Sequence, residues 1–224
     1  MSREVHVRFC EGAGVRFLCA TRRNIFVGSQ KAAERVMESI GRFIEKKLKL
    51  VVNRDKSKVA LSKFVKFLGM TIIAGFLVVS SVSMARAMAK VKELTPRGTH
   101  LTLEETIERI NKWYLGWSGY YGMTQYPIQL SRIEAHVRRR LRSQIVGQQK
   151  RRRHLVNNLV KRGVSRRSAA NTAYSHNRRW ALSHTSAVER AYPNRWFINV
   201  MNLKIISDNC YPHWKSVNTG IKVT

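Results

Sequence analysis

The side chains with chemistry to offer are overwhelmingly cations, and they come in clusters. Arg138-Arg139-Arg140 with Arg142, Lys150-Arg151-Arg152-Arg153, Lys161-Arg162, Arg166-Arg167 and Arg178-Arg179 all fall within residues 132–179. That stretch holds fifteen lysines and arginines and a single acid, Glu134. Guanidinium groups pair with phosphate through two parallel hydrogen bonds. Five clusters with almost no interleaved acid repel one another unless a polyanion neutralises them. The chemistry this pattern supports is the binding of a phosphate-rich partner, most commonly a nucleic acid. The candidate contacts are Arg138, Arg139, Arg140, Arg142, Lys150, Arg151, Arg152, Arg153, Arg166, Arg167, Arg178 and Arg179. Catalytic constellations are not evident. Cys10, Cys19 and Cys210 form no CxxC pair, the seven histidines show no metal-ligand spacing, and no GxSxG, P-loop or dinucleotide-binding fingerprint occurs.

The whole chain carries the same bias. Its 224 residues contain 42 Lys+Arg against 13 Asp+Glu, a formal net charge of +29, which argues against a generic small-molecule enzyme. Hydrophobic residues make up 44% and charged residues 25%, close to the globular average, so wholesale disorder is excluded. The longest apolar stretch, Met70 to Val82, is interrupted by Ala74-Gly75 and Ser80-Ser81. It falls short of the roughly 20 apolar residues that a spanning helix needs. No apolar signal core follows Met1, and the scattered cysteines suit a reducing compartment. The expectation is a cytoplasmic protein without a membrane partner.

The elements that position these groups follow from periodicity. Residues 1–14 give no pattern, while Val15–Cys19 and Asn24–Val27 read as short strands. Ser29 is placed to cap a helix whose apolar positions are Ala33, Val36, Met37, Ile40, Phe43, Ile44 and Leu48. Asn53–Lys58 is a polar loop, and Val65–Ile73 and Phe76–Val79 form a hairpin about Ala74-Gly75. From Ser83 onward the pattern is helical. Thr102 and Glu105 make a capping box before the stripe Leu103, Ile107, Ile110, Tyr114, Trp117 and Tyr121. Trp113 and Tyr120 lie off that stripe and are candidates for stacking on bases. Leu130, Ile133, Val137, Leu141 and Ile145 mark a further helix, with the arginine run on its other side. Short helices are expected at 150–161, 165–175 and 186–201. The fold class is α+β: β-hairpins with one long helix over residues 1–82, then a basic, all-helical domain over 83–206. A divergent tail occupies 207–224.

These motifs, in this order, resemble a known family. Asn53-Arg54-Asp55-Lys56-Ser57 followed by Lys66-Phe67-Leu68-Gly69 looks like the end of a reverse-transcriptase palm. Leu103-Glu104-Glu105, Ile110-Asn111, Leu115-Gly116-Trp117 and Tyr120-Tyr121 resemble the opening of the thumb, or X, domain of group II intron-encoded maturases. Arg138–Arg142, Gly163-Val164-Ser165 and Trp180-Ala181-Leu182-Ser183 continue the likeness. The resemblance implies a palm remnant ahead of a thumb/maturase domain. By the same resemblance Phe67, Leu68 and Gly69 correspond to the primer grip, and Lys56 to a lysine near the incoming nucleotide. The family's catalytic Tyr-Ala-Asp-Asp corresponds here to Cys19-Ala20-Thr21-Arg22, so Thr21 and Arg22 stand where two aspartates would hold Mg²⁺. A further metal-binding aspartate of the family belongs to a segment upstream of Met1. The expectation is therefore a truncated protein without a cofactor and without polymerase chemistry. Its implied partner is structured RNA, foremost group II intron RNA, whose splicing-competent fold it assists; duplex DNA is a secondary candidate. Two rivals follow from the same residues: a fragment that completes an RNA-directed DNA polymerase with a separate fingers/palm chain, and a decayed reading frame.

Overall fold

The computed structural model describes residues 5–9, 11–12 and 23–206. The chain divides into two compact units, residues 1–80 and 81–224. Thr21 and Arg22, the strand expected at Val15–Cys19 and the tail at 207–224 lie outside the described residues.

The first unit is built on a three-stranded antiparallel sheet. Its strands are β1 (Val5–Phe9), β3 (Arg23–Val27) and β5 (Lys58–Leu61), with β1 in the centre. Val5 pairs with Val27 on one side and with Leu61 on the other. Strands β2 (Glu11–Gly12) and β4 (Val51–Val52) form a separate short pair. Helix α1 (Gln30–Lys46) starts where expected, because Ser29 Oγ accepts from the Ala32 amide at 3.2 Å. Its Ala33 and Ile44 are buried, and Val36, Met37 and Ile40 pack with Ile25, Val27, Val59 and Leu61. Phe43 and Leu48, expected on the same apolar face, are exposed.

The hairpin differs from its sequence reading in one instructive way. Strands β6 (Met70–Ile73) and β7 (Phe76–Val79) turn through Ala74 and Gly75, both with positive φ, as a two-residue hairpin turn demands. The preceding Val65–Gly69 is not strand. Ser62–Phe64 is a 3₁₀ turn, and Phe67 and Met70 exchange both backbone hydrogen bonds at 2.9 Å across Leu68 and Gly69. Leu68 (φ 49°) and Gly69 (φ 77°) thus make a second tight turn. Thr71 Oγ1 donates to the Val65 carbonyl at 3.0 Å and holds this loop against β6. The Phe-Leu-Gly motif is a turn because Gly69 supplies the left-handed conformation that closes it.

The second unit is helical. Its elements are α2 (Ser81–Leu94), α3 (Leu103–Tyr121), α4 (Ile128–Gln148), α5 (Arg152–Lys161), α6 (Arg166–Tyr174), α7 (Arg179–Leu182), α8 (Ser186–Ala191) and α9 (Asn194–Asn199). The single helix expected over 186–201 is two, because Pro193 lacks the amide hydrogen that would continue the ladder past Tyr192. Ile107, Ile110 and Tyr114 of α3 and Leu130, Ile133, Val137, Leu141 and Ile145 of α4 share one core with residues of α2, α5, α6, α8 and α9. Leu203 and Ile206 beyond α9 join it. Asn111 fastens that last segment: its Nδ2 donates to the Asn202 carbonyl at 2.8 Å, and its Oδ1 accepts from the Lys204 amide at 2.8 Å.

The expected capping box is present at α3. Thr102 Oγ1 accepts from the Glu105 amide at 3.2 Å, and Glu105 Oε2 accepts from the Thr102 amide at 2.8 Å. Thr102→Ala should destabilise the protein by about 1 kcal/mol, whereas Thr102→Ser should stay within a few tenths of wild type. Urea denaturation midpoints check this.

Candidate nucleic-acid interface

The twelve candidate cations divide into two groups, and helix position decides which is which. An α-helix advances about 100° per residue, so guanidinium groups at 138, 139, 140 and 142 point around most of the helix. Helix α4 is surrounded, and all four arginines meet protein. Arg142 is only 7% exposed. Its Nε donates to the Tyr192 carbonyl at 2.9 Å, its Nη2 to Asn194 Oδ1 at 2.9 Å, and its Nη1 lies 3.9 Å from Glu189 Oε1. Arg140 Nε donates to Thr95 Oγ1 at 2.8 Å, and its Nη2 donates to the Thr95 and Lys92 carbonyls. Arg139 lies over the Trp180 ring, 4.2 Å from its centroid. Arg138 pairs with Glu134 at 3.4 Å, both side chains largely buried.

Arg142, named among the RNA-contacting candidates, is buried against Tyr192, Asn194 and Glu189, and Arg138, Arg139 and Arg140 are half-buried rather than solvated. Burial depresses the ionisation of Arg142, offset by Glu189 and reinforced by Arg138. Burial also depresses Arg140, with Arg179 and Arg97 adding like-charge repulsion. Glu134, the one acid among these cations, also accepts from the Ile206 amide at 2.9 Å.

The second group faces solvent. Lys150, Arg151, Arg152, Arg153, Arg166, Arg167 and Arg178 are exposed, while Arg179 is half-buried and donates to the Arg97 carbonyl at 2.9 Å. Helices α5 and α6 carry most of them. They are joined by a turn in which Gly163, at φ 84°, donates to the Val160 carbonyl and Val164 to the Leu159 carbonyl. This is the Schellman pattern, with Leu159 and Val164 buried as its apolar contact. Ser165 then caps α6. The Gly163-Val164-Ser165 motif is thus a helix stop, a core anchor and a helix start in succession. Arg162 stacks on Tyr192 and Trp196, 4.3 Å from each ring centroid.

The remaining candidates are less concentrated. Tyr120 is exposed, whereas Trp113 is half-buried and packs against the core beside Tyr114 and Trp117. In the first unit Lys56 is exposed on a turn held by Asn53 Oδ1, which accepts from the Lys56 amide at 3.1 Å. Phe67 and Leu68 are also exposed. Thr21 and Arg22 carry no carboxylate for Mg²⁺, so these two residues do not fit that ion. Among the described residues no three His, Cys, Asp or Glu side chains gather as a metal-binding group. Among the same residues no helix is long and apolar enough to cross a membrane.

This division makes two measurable statements. Arg142→Ala should destabilise by about 3 kcal/mol, because it strips the charged donor from the buried Tyr192 carbonyl and removes a packed side chain, while Arg152→Ala should stay within about 0.5 kcal/mol. Calorimetric midpoints separate the two. His136 supplies the second: burial, then Arg140, Lys92 and Arg139, hold its pKa below the ordinary 6.5. Below pH 6.5 the unfolded chain then binds more protons than the folded one, so stability falls with falling pH. His136→Gln should lose less stability than wild type between pH 7 and about pH 5, read from urea midpoints at each pH.

Comparison with known families bears on the same region. Residues 84–163 match the family model described as Group II intron, maturase-specific domain. No curated protein matches the chain. The matched residues run from the first turn of α2 through α3, the arginine-bearing α4 and α5 to the Gly163 turn. The matched segment lies wholly within the second unit, which over those residues is similar to the group II intron maturase-specific domain.

Proposed function

We propose that this protein binds structured RNA, with group II intron RNA as its partner, and assists splicing of that RNA without polymerase chemistry. Two helix starts carry the reading. Arg151 is the N-cap residue of α5, with Arg152 and Arg153 in its first turn, and Arg166 and Arg167 occupy the first turn of α6. Neither first turn contains an acid. A helix N-terminus already bears partial positive charge, so cations there are locally unfavourable. The same ends, with free amides and added guanidinium groups, are suited to phosphate. The arrangement raises the energy of the isolated protein and lowers that of a complex with a polyanion. Folded RNA concentrates phosphates at the density this surface requires, and the maturase-specific domain points to intron RNA as its source.

The test is filter binding of a group II intron transcript across a salt series. Changing Lys150, Arg151, Arg152 and Arg153 to Gln together should weaken binding and reduce the slope of log K against log salt by about 3. An unchanged slope would place the interface elsewhere. Equal competition by duplex DNA would replace the RNA reading with a general nucleic-acid one.

A further inference from the structure

A cavity of about 640 Å³ opens between the end of α2, the loop after it, the middle of α4 and the start of α7. That volume suits a nucleotide-sized ligand. Lys92, Arg97, Arg140, Arg178 and Arg179 line it, and no carboxylate does.

Two of these guanidinium groups are held in place by the protein. Arg140 is fixed by Thr95 and the Lys92 carbonyl, and Arg179 by the Arg97 carbonyl. Arg179 also lies directly on Gly147, where an added Cβ would come 2.3 Å from its Nη1. Any side chain at 147 would push this arginine out of position. Arg97 and Arg178 are exposed and bring two further charges to the same wall. Gathering these cations without an acid is unfavourable unless an anion enters. The wall also contains two polar atoms sealed from solvent and lacking a partner, Gln144 Oε1 and His136 Nε2. Gln144 is 7% exposed, and its amide nitrogen is committed to Thr106 Oγ1 at 3.0 Å.

We propose that this cavity is a phosphate-binding pocket that receives one nucleotide of an RNA strand, its phosphate oxygens held by Arg97, Arg140, Arg178 and Arg179. The occupant rests on the RNA reading above; the pocket itself does not. A nucleotide can enter such a cavity only where the strand leaves regular helical stacking, at a bulge, loop or sharp bend. The exposed starts of α5 and α6 need no such distortion. The pocket therefore selects RNA shape, where the open surface selects charge.

The test compares three full-length proteins: wild type, the pocket variant R97Q/R178Q, and the surface variant R86Q/R109Q, whose two arginines are exposed and belong to neither proposed contact set. The pocket variant keeps the Arg97 backbone carbonyl that Arg179 uses, and both altered side chains are exposed. Inorganic tripolyphosphate, at about tenfold excess over its Kd, should raise the melting temperature of wild type and the surface variant by roughly 3 °C. The pocket variant should show little rise. Equal stabilisation of all three proteins, or of none, would overturn the pocket. With a bulged intron RNA, the pocket variant should bind roughly tenfold more weakly, with a salt slope lower by about 2. Its discrimination against an unbulged duplex of the same length should be lost. Unaltered discrimination would overturn the nucleotide assignment while leaving RNA binding intact. Absence of intron RNA binding by all three proteins, with the tripolyphosphate difference retained, would keep the phosphate pocket and sink the RNA reading.

Discussion

A guanidinium group removed from water must be surrounded by acceptors, and this chain has few carboxylates to offer. With 13 acids against 42 basic side chains, most arginines cannot be satisfied by ion pairs. The second unit meets the requirement with backbone carbonyls, and specifically with those at helix ends. The last carbonyls of a helix have no intrahelical donor and carry its partial negative charge. Arg140 of α4 donates to the Lys92 and Thr95 carbonyls at the end of α2, and Arg142 donates to the Tyr192 carbonyl at the end of α8. One helix thus caps two others, and the arginine run is part of what holds the bundle together.

This solves two problems with one residue type. Capping a helix end satisfies orphan carbonyls that would otherwise need water, and it places a positive charge where the helix dipole favours it. The planar guanidinium fork can reach two acceptors at once, as Arg142 does with Tyr192 and Asn194, which a lysine ammonium would do with less geometric definition. The arginines at the starts of α5 and α6 have the opposite relation to their helices. They sit at the positive ends, exposed, with no acid beside them in the first turn. Position relative to helix polarity separates Arg140 and Arg142, which cap helix ends, from the proposed polyanion contacts at the starts of α5 and α6.

Much of the architecture was legible in the sequence. The Ser29 cap, the Thr102–Glu105 box, the apolar stripe of α3 and the buried face of α4 all follow from local spacing and are present. The first strand was not foreseen, although Val5-His6-Val7-Arg8-Phe9 alternates with a period of two. A single five-residue alternation is a weak signal, and its role as the central strand depends on partners up to fifty-six positions away. The Phe-Leu-Gly turn was read as strand because its apolar composition suits one, while its geometry is set by Gly69. The surroundings of the arginine run are not legible in the sequence. Its charge was plain, but whether a helix face meets solvent or protein depends on long-range contacts such as Arg142 to Tyr192, fifty positions apart. The clamping roles of Asn111 and Glu134 are illegible for the same reason. Each clamps residues more than seventy positions away through one polar side chain, which leaves no periodic trace.

The two units differ in how much apolar surface they conceal. In the first, Phe64, Phe67, Leu68, Ile73 and Phe76 are all exposed around a hairpin whose strands are four residues each. Its α1-centred cluster contains three buried hydrophobics among the described residues. The second unit instead has a continuous core that runs from α2 to Ile206. Hydrophobic stabilisation scales with area removed from water, so the rigid scaffold lies on the basic side of the chain. That placement suits the chemistry. Recognition of a folded polyanion requires charges held at fixed spacing, and fixed spacing comes from a packed core. The cations that face solvent on α5 and α6 are carried by helices whose opposite faces bear Leu155, Leu159, Ala169 and Ala173, all buried in that core. A loosely anchored helix would let phosphate contacts form one at a time and lose each to side-chain and backbone entropy. Anchored as they are, the same arginines can engage together, and the cost of gathering their charge is met once, during folding.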